Sequence, residues 1–183
     1  MQAIIYIVQA VLQYLLVAAF LLRLVLPLIR ANMRNQISQA VLRVTNPLVM
    51  PLRKVLPPVG RVDTASIVAL LLVQIATTAL ILFLSGADPT NWLLVLWKAS
   101  FDLVKMILEL YRIAMFIYVL LSWIAPHTYS PATDVLSSLC EPPLRWMRRL
   151  IPPIGGLDLS PVFVLIALSA LLIWLPTLFS MGR

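Results

Sequence analysis

The stretch RKVLPPVGRVD, Arg53 to Asp63, is spoken twice by this chain, returning 95 residues later as RRLIPPIGGLD, Arg148 to Asp158, without a gap. Arg53 falls on Arg148, Lys54 on Arg149, Pro57 and Pro58 on Pro152 and Pro153, Gly60 on Gly155 and Asp63 on Asp158. The same offset carries residues 1–86 onto 96–181, with residues 87–95 as a linker. Self-similarity at a fixed period constrains architecture before any local pattern does. The chain is therefore expected to be a tandem duplication, each half an apolar run, a basic loop and a second apolar run.

The residues are 62% hydrophobic and 11% charged, with a mean hydropathy of +0.99. An ordinary soluble domain carries about 25% charged residues. The reading is an all-α polytopic membrane protein with four transmembrane helices. Cys140 is the single cysteine, so an internal disulfide is excluded, and no spacing suggests zinc or an iron–sulfur cluster. The net charge of +7 points to loops against anionic lipid headgroups, and direct nucleic-acid binding is not expected.

Taken in order, the spans are expected at about residues 4–28, 64–85, 103–125 and 159–179, each able to cross a hydrocarbon core of roughly 30 Å. The first run has no lysine or arginine before it and no small-residue cleavage site after it, so it does not read as a signal peptide. Gln9 and Gln13 share a helix face in it and suit hydrogen bonds to a neighbouring helix. Arg23, near its far end, is expected to snorkel to the headgroups. Gln74, Thr77 and Thr78 lie within the second run, and Thr90 is a candidate cap for a helix opening at Trp92.

The first loop, 30–63, sets Arg30, Arg34, Arg43, Arg53, Lys54 and Arg61 against Asp63 alone. Ile37, Val41, Val44 and Leu48 recur at helical spacing, which suits a short helix in the interface plane. Asn46-Pro47 is expected to break it, leaving Leu48–Leu56 as a second amphipathic piece. In the second loop, 126–158, Val135, Leu136 and Leu139 form a short amphipathic turn before Pro142-Pro143 and the cluster Arg145, Arg148, Arg149. His127 is the single histidine and reads as solvated.

The repeated motif has a local reading. Paired prolines restrict the chain, and Gly60 and Gly155 permit backbone angles other residues resist. Asp63 and Asp158 stand at the mouths of the following spans, where a carboxylate accepts from unsatisfied N–H groups. Two uses are open: a turn that launches a helix, or an aspartate acting as ligand or proton carrier.

The third span departs from its sister. Lys98, Asp102, Lys105, Glu109 and Arg112 follow one another at spacings of four, three, four and three, on one helix face, with alternating signs. The first half has Ala3, Ile7, Ala10, Tyr14 and Val17 at those positions. The offset puts Glu109 and Arg112 near mid-membrane, where ionisable groups are functional candidates. The alternative is a self-paired stripe packed against the bundle or a sister subunit.

Nine of the fourteen cations lie in the two loops. By the positive-inside rule both loops face the cytoplasm and both termini the periplasm of a bacterial inner membrane. Two spans per copy make the halves parallel repeats.

With the duplicated motif in hand, the chain resembles the YggT family of membrane proteins built from one or two YGGT repeats. The resemblance rests on RANMRNQISQAVLRVTNPLVMPLRKVLPPVGRVDTAS, Arg30 to Ser66, and its weaker echo EPPLRWMRRLIPPIGGLD, Glu141 to Asp158. It covers essentially the full length. It implies links to osmotic stress or potassium uptake, to division and nucleoid distribution, or to haem attachment to cytochrome b6 in a chloroplast relative. It brings no catalytic residues and no cofactor. No nucleophile with a base, metal cluster or phosphate loop stands in the sequence, so an enzyme is the least supported class. A scaffold or assembly factor with a membrane-protein partner, or a homo-oligomeric channel component, are the two functions expected.

Overall fold

The computed structural model describes residues 2–59, 63–124, 130–151 and 158–181. Gly60, Arg61, His127, Pro152, Pro153 and Gly155 lie outside them. The described residues are almost wholly helical: α1 Gln2–Ala10, a π-helical segment Val11–Val17, α2 Ala18–Leu28, α3 Gln36–Val55, α4 Thr64–Leu84, α5 Trp92–Ile124, α6 Pro131–Leu150 and α7 Ser160–Met181. Ala10 and Ala18 keep right-handed helical angles, so α1, the π segment and α2 form one rod. Among the described residues, three helical stretches are long and apolar enough to cross a membrane: Ala3–Leu28, Thr64–Leu84 and Ser160–Leu178. The expected span inside α5 is not among them.

The chain forms two compact units whose borders differ from those of the sequence repeat. One holds Met1–Leu28 and Gln39–Met106, the other Ile29–Ser38 and Ile107–Arg183. In the first unit, α4 packs along α1, the π segment and α2. Its buried side is Ala65, Ser66, Ala69, Leu70, Gln74, Thr77, Thr78, Ile81 and Leu82, recurring every fourth residue. Small and hydroxylated residues let helix backbones approach closely and supply hydrogen bonds between helices in lipid. Val17, Phe20, Leu21 and Leu26 are buried on the rod. Gln13 Nε2 donates to Gln74 Oε1 at 3.3 Å, and Gln74 Nε2 donates to Thr78 Oγ1 at 3.2 Å. The cross-helix hydrogen bond expected of Gln13 is present. It springs from the π segment, a local widening that is frequent at functional sites.

Helix α4 ends on Gly86 at φ +76, where the Gly86 N–H reaches Phe83 and the Ala87 N–H reaches Leu82. That pair of bonds is a Schellman closure, and it needs a left-handed residue at this position. Asn91, not Thr90, caps α5, its Oδ1 accepting from the Leu94 N–H at 3.2 Å. Helix α5 thus begins within the expected linker.

The expected break at Asn46-Pro47 is absent, and the short turn expected around Val135, Leu136 and Leu139 is part of a longer helix. Helix α3 runs unbroken through Pro47 and Pro51, and α6 through Pro142 and Pro143. A proline inside a helix removes one donor and crowds the carbonyl four residues back. Pro47 and Pro51 lie one turn apart on the exposed side of α3, so the carbonyls of Arg43 and Pro47 are freed toward solvent. In α6, Leu139, Cys140 and Leu144 are buried on either side of the pair and hold the helix together across it.

In the second unit, α6 packs on α7. Ser130 and Thr133 form a reciprocal capping box at the start of α6, with Pro131 in the first turn. Asn35 Nδ2 donates to the Pro131 carbonyl at 2.8 Å and to Asp134 Oδ2 at 3.0 Å, tying Ile29–Ser38 to this helix. Cys140 is buried, and burial pushes its thiol up to about 12.

Replacing Gln74 with leucine leaves the Gln13 amide without its partner. The expected loss is about 0.6–1.7 kcal/mol, the range for hydrogen bonds between membrane helices, read from unfolding in mixed detergent micelles. An unchanged midpoint is the result that contradicts this packing.

Candidate functional site

Midway along α2 stands Arg23, the one charged residue of the rod, and it is 4% exposed. Its Nε donates to Ser66 Oγ at 3.0 Å. Its Nη1 donates to Thr45 Oγ1 and Asn46 Oδ1, both at 2.7 Å, and to the Leu42 carbonyl at 3.4 Å. The Ser66 hydroxyl passes the contact on, donating to Asp63 Oδ2 at 2.7 Å. Arg53 Nη2 donates to the same oxygen. Asp63 Oδ1 is buried without a hydrogen-bond partner among the described residues.

Arg23 therefore does not snorkel. A guanidinium has five donors in a fixed fork, and α3 and α4 bring hydroxyl, amide and carbonyl oxygens to it where it stands. Asp63 also departs from expectation. It occupies the residue before α4 but makes no side-chain bond to the helix N–H groups, and its Oδ2 is taken by Arg53 and Ser66. Burial pushes the Asp63 carboxyl up. The hydrogen bonds from Arg53 and Ser66 and the charges of Arg53 and Arg23 outweigh it and hold the group below its ordinary value.

The second unit carries the related arrangement. Arg148 Nε donates to Asp158 Oδ2 at 2.7 Å, and its Nη1 reaches Glu141 Oε2 at 3.4 Å. Arg145 Nε lies 3.6 Å from Glu141 Oε1. Asp158 Oδ1 accepts from the Ser160 N–H at 3.0 Å, so this aspartate does tie down the start of its helix. Burial pushes Asp158 up, and hydrogen bonds from Arg148 and Ser160 more than reverse it. The Asp158 hydrogen bond raises the Arg148 guanidinium above its usual value.

The offset aligns these sets residue by residue. Tyr118 stands where Arg23 does, Cys140 for Thr45, Glu141 for Asn46 and Pro161 for Ser66, while Arg53/Arg148 and Asp63/Asp158 are kept. In one unit a single guanidinium, Arg53, pairs with the carboxylate, and Arg23 reaches it through the Ser66 hydroxyl. In the other a guanidinium lies between two carboxylates. Both versions tie the end of one helix, α3 or α6, to the start of the next, α4 or α7, across ten residues of chain.

The other candidates are spread along the surface. Lys54, Pro57, Pro58 and Arg149 are exposed. On α5, Lys98 Nζ lies 3.3 Å from Asp102 Oδ2. Lys105 is exposed, and Glu109 and Arg112 are half-buried. The contacts put Lys98, Asp102 and Lys105 in the first unit and Glu109 and Arg112 in the second. Sequence reasoning missed the gathering of Arg23, Thr45 and Asn46. The signal was there: Arg23 gives way to Tyr118 and Asn46 to Glu141, while Arg53/Arg148 and Asp63/Asp158 are kept.

Arginine–carboxylate pairs of this kind fasten segments together. No group of histidine, cysteine, aspartate and glutamate among the described residues is arranged to hold a metal. Three helices among the described residues, each apolar enough to cross a bilayer, define a helical membrane protein. The CCB3/YggT family profile matches residues 1–84 and 97–179. The chain belongs to that family, with two repeats. It is 40% identical to protein PA0392 of Pseudomonas aeruginosa over 158 residues, 85% of this chain and 79% of the relative. It is 33% identical to YggT of Escherichia coli strain K12 over 149 residues, 81% of this chain and 76% of the relative. A chloroplastic YlmG homologue of Arabidopsis thaliana is 38% identical over 63 residues, 34% of this chain and 25% of the relative. No solved structure matches the chain.

The two aspartates are not equivalent. Asp63→Asn leaves the buried Arg23 and its neighbour Arg53 without a carboxylate, whereas Asp158→Asn leaves Arg148 with Glu141. Breaking a fully buried pair costs about 3–5 kcal/mol and an exposed one under about 1. With Arg53 45% exposed, the expected loss is about 2 kcal/mol for Asp63→Asn and about 1 for Asp158→Asn. Equal losses in detergent unfolding contradict the asymmetry.

Both carboxyls ionise more readily in the folded chain than in an unfolded one. Their contribution is complete above the unfolded value of about 3.9 and disappears as pH falls through the lower folded values. The unfolding midpoint is expected to hold from neutrality to about pH 5 and to fall below about pH 4. Asp63→Asn should flatten that fall, and an identical acid profile in the variant contradicts the assignment.

Proposed function

We propose that the protein is a non-enzymatic scaffold or assembly factor of the bacterial inner membrane. In this reading four helices cross the bilayer as two parallel repeats, α5 supplying the third span through its stretch from Met106 to Ile124. The basic loops face the cytoplasm and the termini the periplasm. Helices α3 and α6 lie in the plane of the inner leaflet, and the outer surfaces of the spans dock a membrane-protein partner or a second copy.

The observation that carries the reading is the pair of arginine–aspartate ties, which hold each interfacial helix to a span at a fixed place. A platform of that kind presents a surface without performing a reaction. The α7 span adds support, since 11% of it is buried within the chain against 39% for α4. Links to osmotic stress or division come from the family resemblance and fit a scaffold serving a larger complex.

A second reading, an oligomeric channel or transporter component for an ion or osmolyte such as potassium, is favoured by the Gln13–Gln74–Thr78 network inside the first helix pair. Few helices per chain would require a symmetric oligomer to form a pore.

The double variant Glu109→Gln with Arg112→Gln separates the two. A scaffold is expected to lose a membrane protein that co-purifies in mild detergent, with ion flux in reconstituted vesicles unchanged. Loss of flux with the assembly intact supports transport and contradicts the scaffold.

A further inference from the structure

The two interfacial loops descend from one sequence, yet their charge differs sharply. Residues 30–63 hold six cations against Asp63, while residues 126–158 hold Arg145, Arg148 and Arg149 against Asp134, Glu141 and Asp158. The structure widens that difference. Arg145 and Arg148 pair with Glu141, and Arg148 also with Asp158. No ion pair among the described residues involves Arg30, Arg34, Arg43 or Lys54, and all four are exposed.

The helices also bury opposite kinds of surface. In α6 the buried residues are Val135, Leu139, Cys140 and Leu144. In α3 they are Ser38, Thr45 and Val49, with Thr45 turned to the Arg23 guanidinium. The apolar strip of α3 faces outward: Val44 is 60% exposed, Leu48 37% and Val55 78%. Arg43 and Lys54 are eleven residues apart, about three turns, so they lie on one line of the helix. That line flanks the apolar strip, the place from which long cationic side chains reach headgroups while their stems cover apolar surface.

We propose that α3 is the anionic-lipid-binding element of the protein, its apolar strip seated in the bilayer and Arg43 and Lys54 on phospholipid phosphates. Helix α6 is the electrically balanced counterpart, docked on protein through its apolar side and indifferent to lipid charge. Duplication has thus given two helices of shared descent and different partners. The inference rests on the interface-plane placement of α3 under the proposed function, and goes beyond it in assigning the charge sensitivity to one helix.

The test uses the full chain in phosphatidylcholine vesicles with or without phosphatidylglycerol, read by amide hydrogen exchange. Anionic lipid is expected to slow exchange across Gln36–Val55 about tenfold or more, since each cation near the surface contributes about a factor of five. Added salt reverses the effect. Arg43→Gln with Lys54→Gln removes most of it, while Pro131–Leu150 is unmoved by lipid charge or by Arg145→Gln with Arg149→Gln. An α3 that ignores phosphatidylglycerol, or an α6 that responds as strongly, overturns the proposal. So does protection that appears only with an added acidic protein.

A spin label on Leu48→Cys distinguishes the two levels, because Cys140 is buried and its thiol, pushed up to about 12, does not compete. Relaxation by lipid-dissolved oxygen in both vesicle types, with no charge effect on α3, retains the placement and sinks only the charge assignment. Relaxation by a water-soluble nickel complex alone sinks the placement, and the proposal with it.

Discussion

An arginine inside an apolar helix is the constraint around which the first unit is arranged. Its charge is expensive to bury, and the chain answers with oxygens rather than with escape to water. Ser66 comes from α4, Thr45 and Asn46 from α3, and Asp63 from the joint between them. Three separate stretches of sequence must converge for Arg23 to be satisfied. The contact is therefore informative about the fold in a way that a leucine in the same place is not. Buried polar groups are tolerated when every partner is supplied, and they then favour one arrangement over its neighbours.

The second unit solves the same joint with different chemistry. Tyr118 needs no counter-charge, so the carboxylate count is free to rise, and Glu141 joins Asp158 on Arg148. What both copies keep is the tie between a helix end and a span start. What they change is the charge left over. That remainder is where copies of a duplicated unit diverge most cheaply, since it alters the surface without disturbing the joint.

Much of this was legible in the chain itself. The duplication, the helical class and the hydrogen bond from Gln13 follow from spacing and composition, and the family from the likeness of the Arg30 to Ser66 stretch to YggT proteins. The partners of the charged residues did not. Periodicity says which residues share a helix face, and it is silent on what that face meets. Ile37, Val41, Val44 and Leu48 mark an apolar strip in α3, but the side against the protein is the polar one around Thr45. The internal prolines misled for a related reason. Their local cost is real, and burial at positions such as Leu139 and Leu144 overrides it. Arg23 was read as a surface-seeking cation because its acceptors lie 19 to 43 residues further on, beyond the reach of any local pattern.

The central claim is that Arg23 is held by the protein and not by lipid. Solid-state magnetic resonance in bilayers measures this directly, through dipolar coupling between the labelled Arg23 guanidinium nitrogens and either lipid phosphorus or labelled Ser66 and Asn46 side chains. The account predicts coupling to the side chains and none to phosphorus. Strong phosphorus coupling at Arg23 would place it among the headgroups and contradict the joint on which the structure turns.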